Sequence, residues 1–217
     1  RPAPFWGSSL FTSPVAVSAH PLQFPFTDVR FKPHYPTKSP LAGVLALVAP
    51  GSDEYSTEKY AVEIDSLLQQ WGQSLRESIH DLSNLSKLLS SSLKASPLHP
   101  IKEVPLRSGF GIDATKRQFR GARPCQPERF IKELQTWLGT ISTIETAEFE
   151  IYGIKQISNA PLTVQLEIRY DLVATRKDTQ REERVGSWQT EWSRSQSNGW
   201  MAQSWEASEE ILSVGSR

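Results

Sequence analysis

Cysteine, net charge and long apolar runs are what this sequence has least of. It contains one cysteine, and its 24 Lys and Arg residues balance 24 Asp and Glu residues, so the formal net charge is zero. A single cysteine excludes an internal disulfide and any multi-cysteine zinc site. Zero net charge argues against a general nucleic-acid binder and a polybasic membrane-surface protein, because both carry a basic excess. The longest apolar run, residues 41–48, is under half of the ~18 residues that a membrane helix needs.

Motifs with a known chemistry are missing as well. The four histidines, at positions 20, 34, 80 and 99, are scattered, and none lies three or four residues from a second ligand histidine. Cys125 has no Cys-x-x-Cys partner and no neighbouring histidine. Residues 108–111 lack the Gly-x-Ser-x-Gly spacing of a nucleophile elbow and are too short for a dinucleotide fingerprint. We therefore predict no catalytic residue, no metal and no cofactor.

The first 56 residues differ from the rest in composition. Nine of the fifteen prolines lie at or before Pro50, and proline lacks the backbone donor that long helices and central strands need. The same segment is rich in aromatic residues, which need partners in a folded protein. The pattern predicts a proline-rich extended arm, residues 1–56, that lays its aromatics on the body; a linker with stray aromatics is the alternative. Within it, Ser39-Pro40 predicts the start of a short helix near residues 41–48.

Three helices are predicted after the arm. Apolar residues recur at helical spacing from Tyr60 to Leu75, which is typical of an amphipathic helix. A second helix is predicted over residues 79–93, where leucines cluster on one side. The third begins at Pro127 and ends at Gly139, a residue type that commonly follows a helix.

The rest of the chain predicts strands. Residues 162–174 alternate strictly between apolar and polar side chains, which indicates a long antiparallel strand with one solvated face. On the next strand, Trp188 and Trp192 share a face. The predicted strands are residues 101–106, 112–119, 147–153, 162–174, 182–193 and 200–207.

This order of elements favours an α+β fold, with a curved antiparallel sheet that holds three helices in its concave face. The order, together with Gly186-Ser187-Trp188 and Asn198-Gly199-Trp200 in the last hairpin, resembles the nuclear transport factor 2-like (SnoaL-like) cone fold. The resemblance covers residues 57–210 and leaves residues 211–217 as a tail.

A narrower resemblance concerns short segments. Residues 50–55, 57–60, 145–149, 169–173 and 183–188 are similar to the N-terminal segment of bacterial FG-GAP/VCBS-repeat proteins that end in an ASPIC/UnbV-type module. This resemblance implies that the domain is part of a larger exported protein, and therefore a secreted or periplasmic location. It assigns no chemistry to any residue of the segment.

An aromatic-lined pocket is the predicted functional site. Its predicted ligand-binding residues, Phe149, Tyr170, Trp188 and Trp192, lie in phase on the inward face of their strands. Large rings of this kind can line a pocket for an apolar or cyclic ligand, but they can equally form a plain core. The alternative is therefore a cone filled by its own side chains.

A carboxylate on the inward face of the sheet would distinguish an enzyme from a binding module. Enzymes of the resembled fold use a buried carboxylate as general base, opposite a tyrosine or an acid. Asp113 and Asp171 are out of phase with the apolar faces of their strands, although a bulge could reverse a face. Residues 181–184 are mixed in charge and predict a solvated strand start. No carboxylate is therefore expected on the inward face.

These patterns favour a non-catalytic binding or interaction module. Its pocket or docking face would receive a small apolar ligand or a neighbouring domain. The alternative is a small isomerase, cyclase or dehydratase that acts on an apolar cyclic substrate. The polar outer face, with Gln165, Glu167 and Gln189, also suggests a homodimer by resemblance to cone folds.

Overall fold

The computed structural model of the protein describes residues 56–195 and 199–215, which form three helices and eight strands. The predicted proline-rich arm and the short helix near residues 41–48 lie outside the described residues. The helices are α1 (Ser56–Glu77), α2 (Ser83–Ser86) and α3 (Pro127–Trp137). The strands are β1 (Leu89–Ala95), β2 (Lys102–Gly109), β3 (Ile112–Gln118), β4 (Arg123–Pro124), β5 (Ile141–Asn159), β6 (Leu162–Arg176), β7 (Arg181–Ser195) and β8 (Gly199–Gly215).

Helix α1 forms because its apolar residues recur on one face, as the sequence predicts. One residue of this face is a glycine, Gly72, and a Cβ at that position would come within 2.7 Å of the Ala147 carbonyl oxygen of β5. The missing side chain therefore allows the helix to approach the strand closely. The buried residues of the helix are Ile64, Leu68, Trp71, Gly72 and Leu75.

The eight strands form one sheet, in which six follow the order β2-β3-β8-β7-β6-β5. Every pair of neighbours along this path is antiparallel. Strand β1 joins β8 in parallel and also pairs with β4. The predicted α+β class is therefore confirmed. Within the described ranges, no helix is both long enough and apolar enough to cross a membrane.

The predicted second helix, residues 79–93, is wrong over most of its length. Only Ser83–Ser86 is helical, and Leu89–Ala95 forms β1 instead. Three consecutive serines, Ser90 to Ser92, are weak helix formers in the middle of this leucine-rich segment. The segment gains backbone pairing on both sides, because Lys94 lies opposite Ser204 of β8 and Pro124 of β4. Pairing with strands distant in sequence therefore decides its structure.

The long strands β6 and β7 keep one phase throughout. From Val164 to Ala174, every even-numbered residue of β6 is buried, which confirms the predicted alternation. On β7 the even-numbered residues 182, 184, 188, 190 and 192 are buried as well. Strand β8 continues to Gly215, so its end lies within the segment expected to be a tail.

Strand β8 changes phase twice because it carries two bulges. Gln203 and Ser208 have no directly opposite residue in β7. An extra residue in one strand of a pair moves every following side chain to the other face. The buried positions therefore shift to Trp205 and Ala207 after the first bulge, and to Glu210 after the second. The second bulge is what turns Glu210 towards the helices.

Candidate functional site

Five aromatic rings pack together on the inward face of the sheet, and we call them the aromatic cluster. Trp188 is at the centre, with ring centroids 4.3 Å from Tyr170, 5.1 Å from Trp205 and 5.7 Å from Phe149. Trp71 of α1 stacks on Phe149 at 4.4 Å. All five side chains are at most 2% exposed. The cluster therefore fills the space between α1 and the sheet.

All four predicted ligand-binding residues face inward. Phe149, Tyr170 and Trp188 belong to the aromatic cluster, whereas Trp192 lies beside it, with its ring 6.1 Å from that of Trp205. The Trp192 indole N–H donates to Thr190 Oγ1 at 2.8 Å, which satisfies its only polar group. The structure therefore places these rings against other protein side chains. Their role in binding a ligand stays a prediction.

A second group of inward-facing residues is charged, and we call it the ionic cluster: Arg117, Glu182, Arg184 and Glu210. Glu210 is fully buried and accepts three hydrogen bonds. Tyr170 Oη and Trp137 Nε1 donate to its Oε2 at 2.9 and 3.1 Å, and Arg117 Nη1 donates to its Oε1 at 3.2 Å. These donors replace the water that the carboxylate loses on burial.

Glu182 and Arg184 form a buried ion pair two residues apart on β7. Their side chains are 1% and 4% exposed, and Arg184 Nε and Nη2 each lie 2.5 Å from Glu182 Oε1. The guanidinium group also donates to the Trp137 carbonyl oxygen at 2.6 Å and to Thr140 Oγ1 at 3.2 Å. Its carbon lies 4.6 Å from the centroid of the Trp137 ring. The pair therefore fastens the end of α3 to the sheet.

Tyr170 joins the two clusters across a glycine. Tyr170, Gly186 and Glu210 occupy one row across β6, β7 and β8. A Cβ on Gly186 would overlap the Tyr170 phenol and come within 2.7 Å of the Glu209 carbonyl oxygen. The absent side chain lets the phenol cross β7 and reach the carboxylate on β8.

Burial and the neighbouring Glu210 charge together raise the pKa of the Tyr170 phenol well above its ordinary value of 10.0. Tyr170 is therefore a protonated hydrogen-bond donor at neutral pH.

The only cysteine, Cys125, is half-buried, and burial raises the pKa of its thiol. A raised pKa disfavours the reactive thiolate.

The prediction that no carboxylate shares the inward face is wrong. Glu210 lies beyond the strand predicted over residues 200–207. It shares the buried, even-numbered phase of Trp200 and Ala202, because the bulge at Ser208 restores the phase that the bulge at Gln203 reverses. Glu182 has the same even numbering as Trp188 and Trp192, and that shared phase is the signal that could have identified it. Because residues 181–184 are mixed in charge, the sequence predicts a solvated strand start there instead.

The two acids considered from sequence take no part in either cluster. Asp113 is exposed and accepts a hydrogen bond from Ser108 Oγ at 2.6 Å. Asp171 is half-buried on the outer side of β6. Within residues 56–195 and 199–215, no group of three or more His, Cys, Asp and Glu side chains is placed to hold a metal ion.

A cavity of about 280 Å³ lies beside the ionic cluster, next to α3, and we call it the α3 cavity. Trp137 stands between it and the aromatic cluster, because its ring lies 5.9 Å from Tyr170 and 6.4 Å from Trp188. The wall of the α3 cavity combines an apolar surface with the guanidinium groups of Arg117 and Arg184. The lining residues are Leu98, His99, Pro100, Arg117, Glu133, Thr136, Trp137, Thr140 and Arg184.

Solved structures similar to this chain include members of the nuclear transport factor 2-like superfamily. A superfamily protein from Salmonella enterica serovar Typhimurium is 15% identical, with a TM-score of 0.46 over 74% of this chain and 94% of its own. A conserved protein from Planctomyces limnophilus is 14% identical, with a TM-score of 0.47 over 70% of this chain and 94% of its own. A hexachlorocyclohexane dehydrochlorinase is 9% identical, with a TM-score of 0.42 over 70% and 86%.

No protein-family model matches the chain, and no curated protein matches it. The narrower resemblance to FG-GAP/VCBS-associated proteins therefore gains no support. Structural likeness at these identities and TM-scores carries no inference about activity. What the domain does has to be argued from its own residues.

Proposed function

We propose that this domain is a non-catalytic binding module whose α3 cavity receives a small, largely apolar ligand. The observation that carries this proposal is the state of the two buried carboxylates in the described residues. Glu182 and Glu210 are both fully engaged by donors from the protein itself. The cavity therefore has binding surface, but these carboxylates are not free to take a proton from a substrate.

A general base has to come within hydrogen-bond distance of the proton that it removes. Glu210 is 0% exposed, and Trp137 separates its neighbour Tyr170 from the cavity. Glu182 is held by Arg184 and lies 3.5 Å from Arg176 Nη1. At the cavity itself, Glu133 accepts from the Leu98 backbone N–H at 3.2 Å and from Arg129 Nε at 3.3 Å. The arrangement favours binding over proton transfer.

The apolar part of the wall sets the kind of ligand. Leu98, Pro100 and the Trp137 ring supply a surface against which a ring or a short aliphatic chain can pack. A volume of about 280 Å³ is just below the ~300–1,000 Å³ that ligand pockets occupy. A molecule with a single ring therefore fits better than a large cofactor.

Saturation-transfer NMR with benzamide and cyclohexanecarboxamide tests this proposal. The wild-type protein is expected to bind these single-ring probes with a Kd on the order of 1 mM, as suits ligands of so few atoms. Thr136→Phe fills the cavity from α3, and the Thr136 hydroxyl that it removes bonds only within the helix, to the Lys132 carbonyl oxygen. Gln135→Phe, one residue away and outside the cavity lining, is the matched control.

Loss of binding in Thr136→Phe, with binding retained in Gln135→Phe, supports the proposal. The proposal is overturned if neither probe binds the wild-type protein, or if both variants bind like the wild type. Circular dichroism of each variant confirms that the helix is intact.

One observation favours the alternative of a small isomerase, cyclase or dehydratase. Glu210 and Tyr170 are a carboxylate and a phenol on the inward face, 2.9 Å apart. Catalysis would require the Trp137 side chain to move and expose this pair. An apolar cyclic compound that the wild-type protein converts, and that folded Glu210→Gln leaves unchanged, would establish the alternative.

The secreted or periplasmic location, the neighbouring domain and the homodimer stay predictions from sequence resemblance. A docking role would place the partner on the outer face of the sheet, away from the α3 cavity. Expression of the gene in its own host, followed by fractionation, tests the location independently of ligand binding.

A further inference from the structure

We propose that the α3 cavity selects uncharged ligands over anions, and that Glu210 is the residue that determines this selectivity. The inference rests on the proposed function, because it names the chemical class of ligand for the same cavity. The inference rests on how the charged groups near the cavity are paired with one another, and not on how many of them line the cavity wall.

Two arginines on a cavity wall would ordinarily indicate an anion site, since guanidinium groups bind carboxylates and phosphates with two parallel hydrogen bonds. Here each is already paired with a carboxylate of the protein. Arg117 lies between Glu103 and Glu210, with Nε 2.7 Å from Glu103 Oε1 and Nη1 3.2 Å from Glu210 Oε1. Arg184 is paired with Glu182. Neither guanidinium is an unbalanced charge.

The surrounding ion pairs leave no positive excess. Arg129 pairs with Glu133 of the cavity wall, and Arg176 lies 3.5 Å from both Asp178 and Glu182. Within these linked ion pairs, four guanidinium groups therefore meet five carboxylates. An incoming anion would lose hydration without meeting a net opposite charge, which is unfavourable. The guanidinium groups are those of Arg117, Arg129, Arg176 and Arg184, and the carboxylates are those of Glu103, Glu133, Asp178, Glu182 and Glu210.

Arg117 keeps a donor group that a neutral ligand can use. The Nε and Nη1 atoms of Arg117 bond to the two carboxylates, and its Nη2 has no hydrogen-bond partner among the residues that the structure describes. Arg117 lines the cavity and is 20% exposed. An amide, ketone or hydroxyl oxygen can accept from this group while the rest of the ligand packs on Trp137. Such an oxygen costs much less to desolvate than a carboxylate.

Glu210 should offset the charge of Arg117 more strongly than Glu103 does, because the two carboxylates differ in exposure. The Glu103 side chain is 48% exposed, so water and salt screen its charge. The Glu210 side chain is fully buried and fixed by Tyr170 and Trp137. Glu210→Gln keeps the size and an acceptor oxygen but removes the charge, which leaves Arg117 partly unbalanced.

Benzamide and benzoate provide a matched pair of probes, because they have nearly the same size and differ in charge near neutral pH. We expect the wild-type protein to bind benzamide at least about tenfold more tightly than benzoate, as one unbalanced charge interaction would produce. In Glu210→Gln this preference is expected to fall by about tenfold or more. In Glu103→Gln it should change less than about threefold, as for an exposed pair. All variants are also measured with His99→Gln, which removes any imidazolium at the cavity.

Tighter binding of benzoate than benzamide by the wild-type protein overturns this inference and leaves the proposed function intact. Absence of binding by benzamide, benzoate and cyclohexanecarboxamide alike overturns both proposals. An unchanged preference in folded Glu210→Gln overturns the role of Glu210. If that variant does not fold, Arg117→Lys keeps the positive charge but removes the planar donors. It should weaken benzamide binding at least about threefold, and an unchanged affinity overturns the inference.

Discussion

The two ends of strand β7 face the same layer of helices, yet they are packed in different ways. At one end, Trp188 and Trp192 pack among other aromatic rings. At the other end, Glu182 and Arg184 form an ion pair that is almost as deeply buried. Strand β8 repeats the contrast, with Trp205 in the aromatic cluster and Glu210 in the ionic cluster.

The difference shows why the cavity lies where it does. Aromatic rings can stack at several angles and fill space without regard to hydrogen-bond direction. Buried charges have to keep specific donors and acceptors at fixed distances, so they cannot also close every gap. The aromatic cluster is therefore closely packed, whereas the ionic cluster borders a cavity of about 280 Å³ next to α3.

Truncation at the centre of the aromatic cluster should have the largest effect on stability. Trp188→Ala removes a fully buried ring and is expected to lower the free energy of unfolding by about 3–5 kcal/mol. Trp188→Phe should cost less, because it keeps a ring against Tyr170 and Phe149. Chemical denaturation followed by circular dichroism measures both. A loss below about 1 kcal/mol in Trp188→Ala would mean that this part of the domain is not a packed core.

Breaking the Glu182–Arg184 ion pair at the other end of β7 should have the second-largest effect on stability. Glu182→Gln leaves Arg184 buried without its carboxylate, and we expect a loss of about 3 kcal/mol in the free energy of unfolding. Glu183→Gln is the control, because that neighbour is exposed on the opposite face. Adding Arg184→Met to Glu182→Gln should recover part of the loss, since no unpaired charge then remains. Equal stability of Glu182→Gln and the wild type would show that the pair contributes nothing.

Removing the link between the clusters should have the smallest effect. Tyr170→Phe deletes the hydrogen bond to Glu210 and is expected to cost about 2 kcal/mol at neutral pH. Equilibrium denaturation measures this, with Tyr152→Phe, an exposed tyrosine, as the control.

The same substitution has a pH signature. Because the pKa of Tyr170 is raised on folding, its contribution to stability is complete below the unfolded phenol pKa of ~10 and is lost as pH rises above that value. The wild-type protein should therefore lose stability more steeply than Tyr170→Phe above about pH 10. Parallel slopes in the two proteins would contradict the buried, protonated phenol.

Much of the fold follows from periodicity along the chain. The apolar stripe of α1 and the alternation in β6 each depend on side chains a few residues apart, so the sequence predicts them directly. The inward positions of Phe149, Tyr170, Trp188 and Trp192 follow from the same rule. Segment 79–93 fails because a leucine cluster fits a helix or a strand, and only pairing with β8 and β4 selects the strand.

Alternation along β5, β6 and β7 is enough to predict which of their rings lie inside, because it is a local property of each strand. The ionic cluster and the α3 cavity, in contrast, depend on how separate strands and helices pack together. Glu210 lies on the same side as Trp205 and Ala207 because a bulge at Ser208 lies between them, and Tyr170 reaches Glu210 because Gly186 lies between these two residues. These features depend on the register between strands and on the space between side chains, and neither is set by the spacing of residues along one strand.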